Sequence, residues 1–489
     1  MKGVAAERVI GRAPARDKSL VEQEHVHAAK AGQKVTNRRA APQLAASGDP
    51  LDNNLWGMRM IKADQAHTRT LGNRRVKVGI MDTGVQADVP DIHPNFDYRA
   101  SRNFTTDIPG VDGPCEVANS CVDYVGTDDN GHGTHVAGTV AAAMNGFGLS
   151  GVAPKATIVQ VRAGQDSGYF FAGPTVNALT YSGDAGLDVV NMSFYVDPWL
   201  YNCAGGAPED TPEQAADQDV IIETMTRALN YAHRRGVTLV GSAGNSHTDL
   251  ANPGIDETSP DFPANSAHPR TIDNDTCKDL PVEGPHVLGI TALGPSGKKS
   301  DFSNWTTEPR SGEVELSAPG SWLRDGFGTP SFRSYTNLIL STYPVKALQE
   351  ATPDPLVDPA GNITPAGQAV GVIKQCQASP APGTQACGYH HWLQGTSMAS
   401  PHASGVAALA VGKHGRVQKR SGFGMNPDAV RRLLVRTATD HTCPAGRPSV
   451  QEYLREGRDD TYTATCVGSA ERNGFYGAGI VNAWGAVRR

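Results

Sequence analysis

The chain has 489 residues and a net charge of -6, with 19% of its residues charged. That balance excludes the polybasic surface of a nucleic-acid binder, and no run of about eighteen apolar residues offers a membrane-spanning helix. Eight cysteines without a C-x-x-C pair suit disulfides in an oxidising compartment better than a metal cluster.

Residues 1–48 are rich in Ala, Lys, Arg and Gln and lack a strong apolar period, which predicts a weakly structured N-terminal extension. Met1–Val9 carries Lys2, Glu7 and Arg8 and no apolar stretch of a secretory signal. A short apolar strand, Val76–Met81, then delivers Asp82 into the glycine turn Asp82-Thr83-Gly84. Asn130-Gly131-His132-Gly133-Thr134-His135 opens a helix of small residues over His132–Met144. Further strands are predicted at Ala156–Val161, Asp188–Met192, Val237–Gly241, Val287–Ala292 and Val314–Ser317. Further helices are predicted at Val220–His233, Ser397–Ala410 and Asp428–Thr437. The alternation predicts an α/β fold, a mostly parallel central sheet with helices on both faces. Asp82 and Asn245 both follow strands, at the carboxyl edge where such sheets bind ligands. Insertions near 105–129, 196–217 and 322–388 read as surface loops pinned by disulfides. Neighbours such as Cys376 with Cys387 and Cys443 with Cys466 are natural pairs, although spacing alone does not fix connectivity.

The most telling stretch is Gly395-Thr396-Ser397-Met398-Ala399-Ser400-Pro401-His402-Ala403-Ser404-Gly405. It sets a serine at the start of a helix of small apolar residues, with Pro401 expected in the first turn. There the free backbone N–H groups and the positive end of the helix dipole favour an oxyanion beside the hydroxyl. A plain N-capping serine is the alternative for such a position. A nucleophilic serine needs a base and a group to orient that base. His132 and Asp82 supply both residue types, and Gly236–Ser246 ends in Asn245, an amide after a glycine turn.

These motifs, in the chain order Asp, His, Ser, resemble those of the subtilisin-like serine peptidases from about Trp56 to Asn482. The order is matched to the family rather than derived. The resemblance implies a catalytic domain over residues 49–489 and makes the extension at 1–48 the remnant of a propeptide. It implies that Ser397 attacks the scissile carbonyl, His132 takes and returns the proton, Asp82 orients the imidazole, and Asn245 donates to the oxyanion. It places Ser193, in Asn191-Met192-Ser193, on a strand that pairs with an extended peptide, and Gly168 and Gly244 along the cleft. Phe194, Tyr195 and Val196 stand where relatives usually carry small residues, so Phe194 is expected to reshape the primary pocket. Asp261, in Ser259-Pro260-Asp261-Phe262-Pro263-Ala264, resembles a pocket-floor position and would bias cleavage toward Lys or Arg, unless it pairs elsewhere. The expected partners are protein or peptide substrates of a secreted, monomeric enzyme that needs no cofactor for catalysis. A structural calcium is implied by the loop Met144–Leu149, with Asn145, Asn95 and Asp52 as oxygen donors; an ion-free glycine turn is the alternative.

Three rival readings use the same residues. Asp82-Thr83-Gly84 and Asp166-Ser167-Gly168 both carry an aspartic-peptidase triplet, which would require two carboxylates sharing a proton. His132 and His135 would serve zinc poorly, since metal-binding helices set their histidines four apart around a glutamate. A non-catalytic relative that binds peptides would keep the cleft but not cut.

Overall fold

Period-two alternation of apolar residues along short strands builds the centre of the molecule. The computed structural model describes residues 48–378, 385–418 and 422–488, so the expected N-terminal extension lies outside the described residues except for Gly48. Seven strands form one sheet: β1 (Lys77–Met81), β2 (Arg102–Asn103), β3 (Thr157–Arg162), β4 (Val189–Met192), β5 (Thr238–Ser242), β6 (Val287–Leu293) and β7 (Leu316–Pro319). Their order is β7-β6-β5-β4-β1-β3-β2, with every pairing parallel. Val78, Ile80, Val189, Val240 and Leu288 face one side, where they pack in one buried cluster with Val136, Val140, Val406 and Ala407. Their neighbours Val190, Met192, Leu239 and Val287 face the other side, against Leu179, Ile221, Met225 and Leu229. Covering both faces is what parallel crossovers impose, and it explains why the strands read as nearly continuous apolar runs. Each fully buried Val, Leu or Ile contributes about 1.5–3 kcal/mol relative to exposure.

Helices α1 (His132–Ala141) and α4 (Thr396–His414) lie on the first face, and α2 (Ala172–Asp184) and α3 (Pro212–Arg234) on the second; α5 (Pro427–Thr437) packs beside α4. α1 stops at Ala141, short of the expected Met144, because Ala142 turns extended and the Ala143 N–H is taken by the Asp91 carbonyl at 2.7 Å. α3 begins eight residues before the expected Val220. Its start carries a capping box, with the Thr211 hydroxyl on the Gln214 N–H, the Gln214 side chain on the Thr211 N–H, and Pro212 in the first turn. Polar residues along that first stretch hid a helix whose stop and start signals were nonetheless written in Thr211-Pro212-Glu213-Gln214.

Pro401 corrects a second expectation. It falls five residues after Thr396, beyond the first turn, and so removes the N–H that would bond the Ser397 carbonyl. The Ser193 hydroxyl fills that vacancy, donating to the Ser397 carbonyl at 3.1 Å. The insertion at 322–388 is more than loop. Ile339–Tyr343, Ile373–Ala378 and Gln385–Leu393 form a three-stranded antiparallel sheet with the long strand in the middle. Its first strand leans on α1, where the Ser341 and Thr342 hydroxyls donate to the His135 and Thr134 carbonyls at 2.7 and 2.9 Å. The disulfides Cys376–Cys387 and Cys443–Cys466 form as the spacing suggested, joined by Cys115–Cys121 and Cys203–Cys277.

Ser193→Ala should strip the Ser397 carbonyl of its donor and lower unfolding free energy by about 1–3 kcal/mol. Adding Pro401→Ala should recover part of that loss by restoring a helical N–H. Denaturant unfolding of the two single variants and the double variant checks this, and strictly additive effects would contradict it.

Candidate active site

Four side chains gather at the carboxyl edge of the sheet, three of them lining one cleft and the fourth buried behind it. Asp82 follows β1 and is fully buried. His132 opens α1, and its Nδ1 lies 2.7 Å from Asp82 Oδ1. The same carboxylate oxygen accepts the Thr83 N–H at 2.8 Å. Burial pushes the Asp82 carboxyl above its ordinary range, while the neighbouring imidazole and the Thr83 N–H pull against that rise. The approach of α1 to the Asp82 turn needs a glycine at position 133. A Cβ there would stand 2.0 Å from the Gly84 carbonyl oxygen and 3.0 Å from the Asp82 Cβ. Next to it, Thr83 Oγ1 accepts the Gly133 N–H at 3.1 Å and donates to Asp128 at 2.9 Å, tying turn and helix together.

Ser397 is the second residue of α4, so its own N–H is among the free donors of the first turn. Its hydroxyl donates to the Ser193 carbonyl at 3.2 Å. Asn245 follows β5, and its Oδ1 accepts both the N–H and the hydroxyl of Thr396 at 2.8 Å. A backbone N–H can only donate, so the amide oxygen must face Thr396, and the amide NH2 is left for the cleft. His132, Ser397 and Asn245 line that cleft together with Ser193, Phe194, Gly168 and Gly244. Phe194 stacks on Phe170 with ring centroids 4.1 Å apart, giving the cleft an apolar wall. This arrangement supplies a hydroxyl, a histidine oriented by a buried carboxylate, and two N–H donors about one site, the parts an acyl-transfer centre needs.

The competitors for these roles are committed elsewhere. His135 is fully buried, bonds the Ile339 carbonyl at 3.0 Å, and is pushed down to about 3 by burial and by His391, so it is a neutral packing residue. Asp166 pairs with the buried Arg162 at 2.8 Å while Asp82 pairs with His132, so the two triplet carboxylates do not share a proton. Asp261 does not line the cleft; its Oδ2 accepts the Tyr195 hydroxyl at 2.6 Å. Sequence reasoning passed over Thr396, which sets the Asn245 amide, although it sits inside the Gly395-Thr396-Ser397 motif. It also passed over Phe170 and Asp279, both of which line the cleft from loops without a recognisable pattern.

Of the residues expected to hold calcium, Asn95 keeps a buried Oδ1 without a hydrogen-bond partner, while the other donors are engaged within the protein. Asn145 Oδ1 accepts the Phe147 N–H at 2.9 Å, and Asn95 directs its NH2 at the Ala141 and Pro154 carbonyls. The Asp52 carboxylate accepts the N–H groups of Asp49 and Ser150 and the Ser150 hydroxyl. Asp49 likewise accepts the Gly146 N–H at 2.6 Å. Asp49 and Asp52 thus hold the loop by collecting its N–H groups.

The subtilase family model matches residues 73–479. Among relatives, Subtilisin Savinase from Lederbergia lenta is 31% identical over 191 residues, which are 39% of this chain and 55% of that protein. Over these first relatives, then, the chain spans about half of their length or less. Subtilisin DY from Bacillus licheniformis is 26% identical over 385 residues, covering 79% of this chain and 91% of that protein. Among solved structures, the epidermin leader peptide processing serine protease from Staphylococcus aureus has a TM-score of 0.58 at 20% identity, over 91% of this chain and 82% of that one. The nisin leader peptidase from Lactococcus lactis has a TM-score of 0.56 at 20% identity, over 80% and 90%. At that identity, these two matches establish the fold alone.

Asp49→Asn and Asp52→Asn should each lower Tm, and by the same amount with and without a chelator. Thermal unfolding in calcium and in EDTA measures this. A loss seen only in calcium would favour the metal reading of the loop.

Proposed function

The chain belongs to the subtilase family, and from that premise we propose that it is a serine endopeptidase acting on protein or peptide substrates. The observation that carries the reading is the meeting of His132, Ser397 and Asn245 in one cleft, with the Asp82 carboxylate 2.7 Å behind the imidazole. In this reading a substrate chain extends along Ser193. The Ser397 hydroxyl leaves its ground-state bond to the Ser193 carbonyl and turns to His132 as substrate seats. Ser397 Oγ attacks the scissile carbonyl while His132 takes the hydroxyl proton. The carbonyl oxygen, now an anion, is met by the Ser397 N–H and the Asn245 NH2. Asp82 holds the imidazole tautomer and offsets the imidazolium charge from a site that excludes water. His132 then gives its proton to the leaving amine, and the C–N bond breaks to leave an acyl-enzyme. Water, deprotonated by the same histidine, releases the acid and regenerates Ser397.

Preorganisation supports this assignment more than proximity does. Thr396 fixes the Asn245 amide before substrate arrives, and the Thr396 hydroxyl also accepts the Gly244 N–H at 3.1 Å. Such prior orientation is what makes an oxyanion donor effective, since no dipole must reorganise during the reaction. Secretion into an oxidising compartment is part of the proposal and rests on the four disulfides, with no free cysteine among the described residues.

Ser397→Ala should lower kcat on casein by roughly a million-fold, the scale on which a subtilisin loses activity without its serine. Asn245→Ala should cost about 100- to 1000-fold in kcat with little change in KM. Steady-state kinetics on casein and a peptide substrate test both, and a Ser397→Ala variant as fast as the parent would end the assignment.

A further inference from the structure

The cleft contains a carboxyl group that the reaction above does not use. Asp279 lines it, is 2% exposed, and has a buried Oδ1 without a hydrogen-bond partner. Its place is set from two sides. The adjoining Leu280 carbonyl accepts the Val196 N–H at 2.8 Å, which ties it to the segment Ser193–Tyr195 on one wall. Its Oδ2 lies 3.5 Å from the point that a Gly244 Cβ would occupy, beneath the turn that carries Asn245. Asp279 therefore lines the cleft between two of its wall segments, Ser193–Tyr195 and the Gly244 turn.

Among the described residues no cation is paired with this carboxyl, and the Arg270 guanidinium is held by Asp256 at 3.1 Å. No lysine or arginine lines the cleft among the described residues, and Asp197 adds a second acidic side chain to its lining. The groups that face Asp279 electrostatically are carboxyls as well, Glu283 and Asp256. The Glu283 Oε2 is occupied by the Asp279 N–H at 2.6 Å, while its Oε1 has no partner. Burial, reinforced by these two neighbours, holds the Asp279 carboxyl well above its ordinary range. Burial disfavours the charged form of such a carboxyl, and a cationic ligand would favour it again. Asp261, the acid that the motif suggested, already serves Tyr195.

We propose that Asp279 forms the floor of the primary specificity pocket and selects substrates with Lys or Arg immediately before the cleaved bond. The inference rests on the serine-endopeptidase reading and deepens it. A cationic side chain descending past Gly244 would meet Asp279 Oδ1 and Oδ2 and convert the pair into a buried, charge-assisted hydrogen bond. Phe194 and Phe170 would cover the aliphatic stem of that side chain.

The test compares kcat/KM for fluorogenic peptides that differ only in the residue before the cleaved bond, using Arg, Lys, Leu and citrulline, the neutral isostere of arginine. In the parent enzyme Arg should exceed citrulline by roughly 30-fold or more. In Asp279→Asn that ratio should collapse toward one, whereas Asp261→Asn should leave it intact. Should Asp279→Asn fail to fold, benzamidine provides the second measurement, since it should compete with the Leu peptide in the parent. Equal rates for Arg and citrulline in the parent, a ratio that survives Asp279→Asn, or no competition by benzamidine would overturn the inference. Cleavage of the Leu peptide alone would discard this pocket assignment and keep the peptidase reading. No cleavage of any peptide, with no labelling of Ser397 by a serine-reactive phosphonate, would remove both.

Discussion

The registration of α4 against the sheet rests on a small buried polar lattice at the end of β4. Ser193 has one hydroxyl proton and two lone pairs, and all three are used. It donates to the Ser397 carbonyl and accepts from Asn191 Nδ2 at 2.8 Å, with the Ser400 hydroxyl 2.7 Å away. Asn191 in turn accepts the Ser404 hydroxyl at 2.9 Å. In a fully buried setting each of these groups would be expensive to leave unmatched, so the helix has one low-energy position along its axis and around it. Apolar contacts among Ala403, Val406 and Ala407 could tolerate sliding; the lattice could not. Pro401 makes the lattice obligatory by deleting the helical donor that would otherwise satisfy Ser397.

Given that fixed helix, the remaining groups arrive by topology. Parallel strands all end at the same edge, so Asp82 after β1, Ser193 after β4 and Asn245 after β5 come together because β1, β4 and β5 are adjacent in the order of the sheet. Fifty residues separate Asp82 from His132, and only the close fit of Gly133 under Gly84 brings the imidazole within hydrogen-bond reach. The inserted antiparallel sheet stiffens this same helix from behind, taking the Thr134 and His135 carbonyls with its own hydroxyls. An insertion that reads as decoration therefore buttresses the element that carries His132.

Asp261 and Asp279 illustrate how far motif matching reaches. Asp261 lies in a segment with a familiar pattern and yet spends its carboxylate on Tyr195. Asp279 lies in Cys277-Lys278-Asp279-Leu280-Pro281, a stretch with no pattern, and lines the cleft. Which of two aspartates faces a ligand depends on whether a tyrosine 66 residues away in sequence reaches one of them, a contact that no local signal encodes. The Met144–Leu149 loop shows the same dependence on distant partners. Its length matched, but the polarity of the groups it gathers is set by Asp49 and Asp52 from a distant segment.

By itself the sequence determined the parallel α/β class, the six main strands, the order Asp82, His132, Ser397 and the candidate oxyanion amide. The fold class and strands follow from short-range patterns, apolar runs of strand length ending in glycine turns, while the order of the three residues and the amide come from the resemblance of their motifs to a family. Tertiary structure alone decided which carboxylates stay unpaired, how the Asn245 amide is turned, and what replaces the hydrogen bond lost at Pro401. Each of these is a choice among partners far apart in the chain. The choice is made by burial, which leaves a polar group either matched or costly, and burial exists only once the chain has folded.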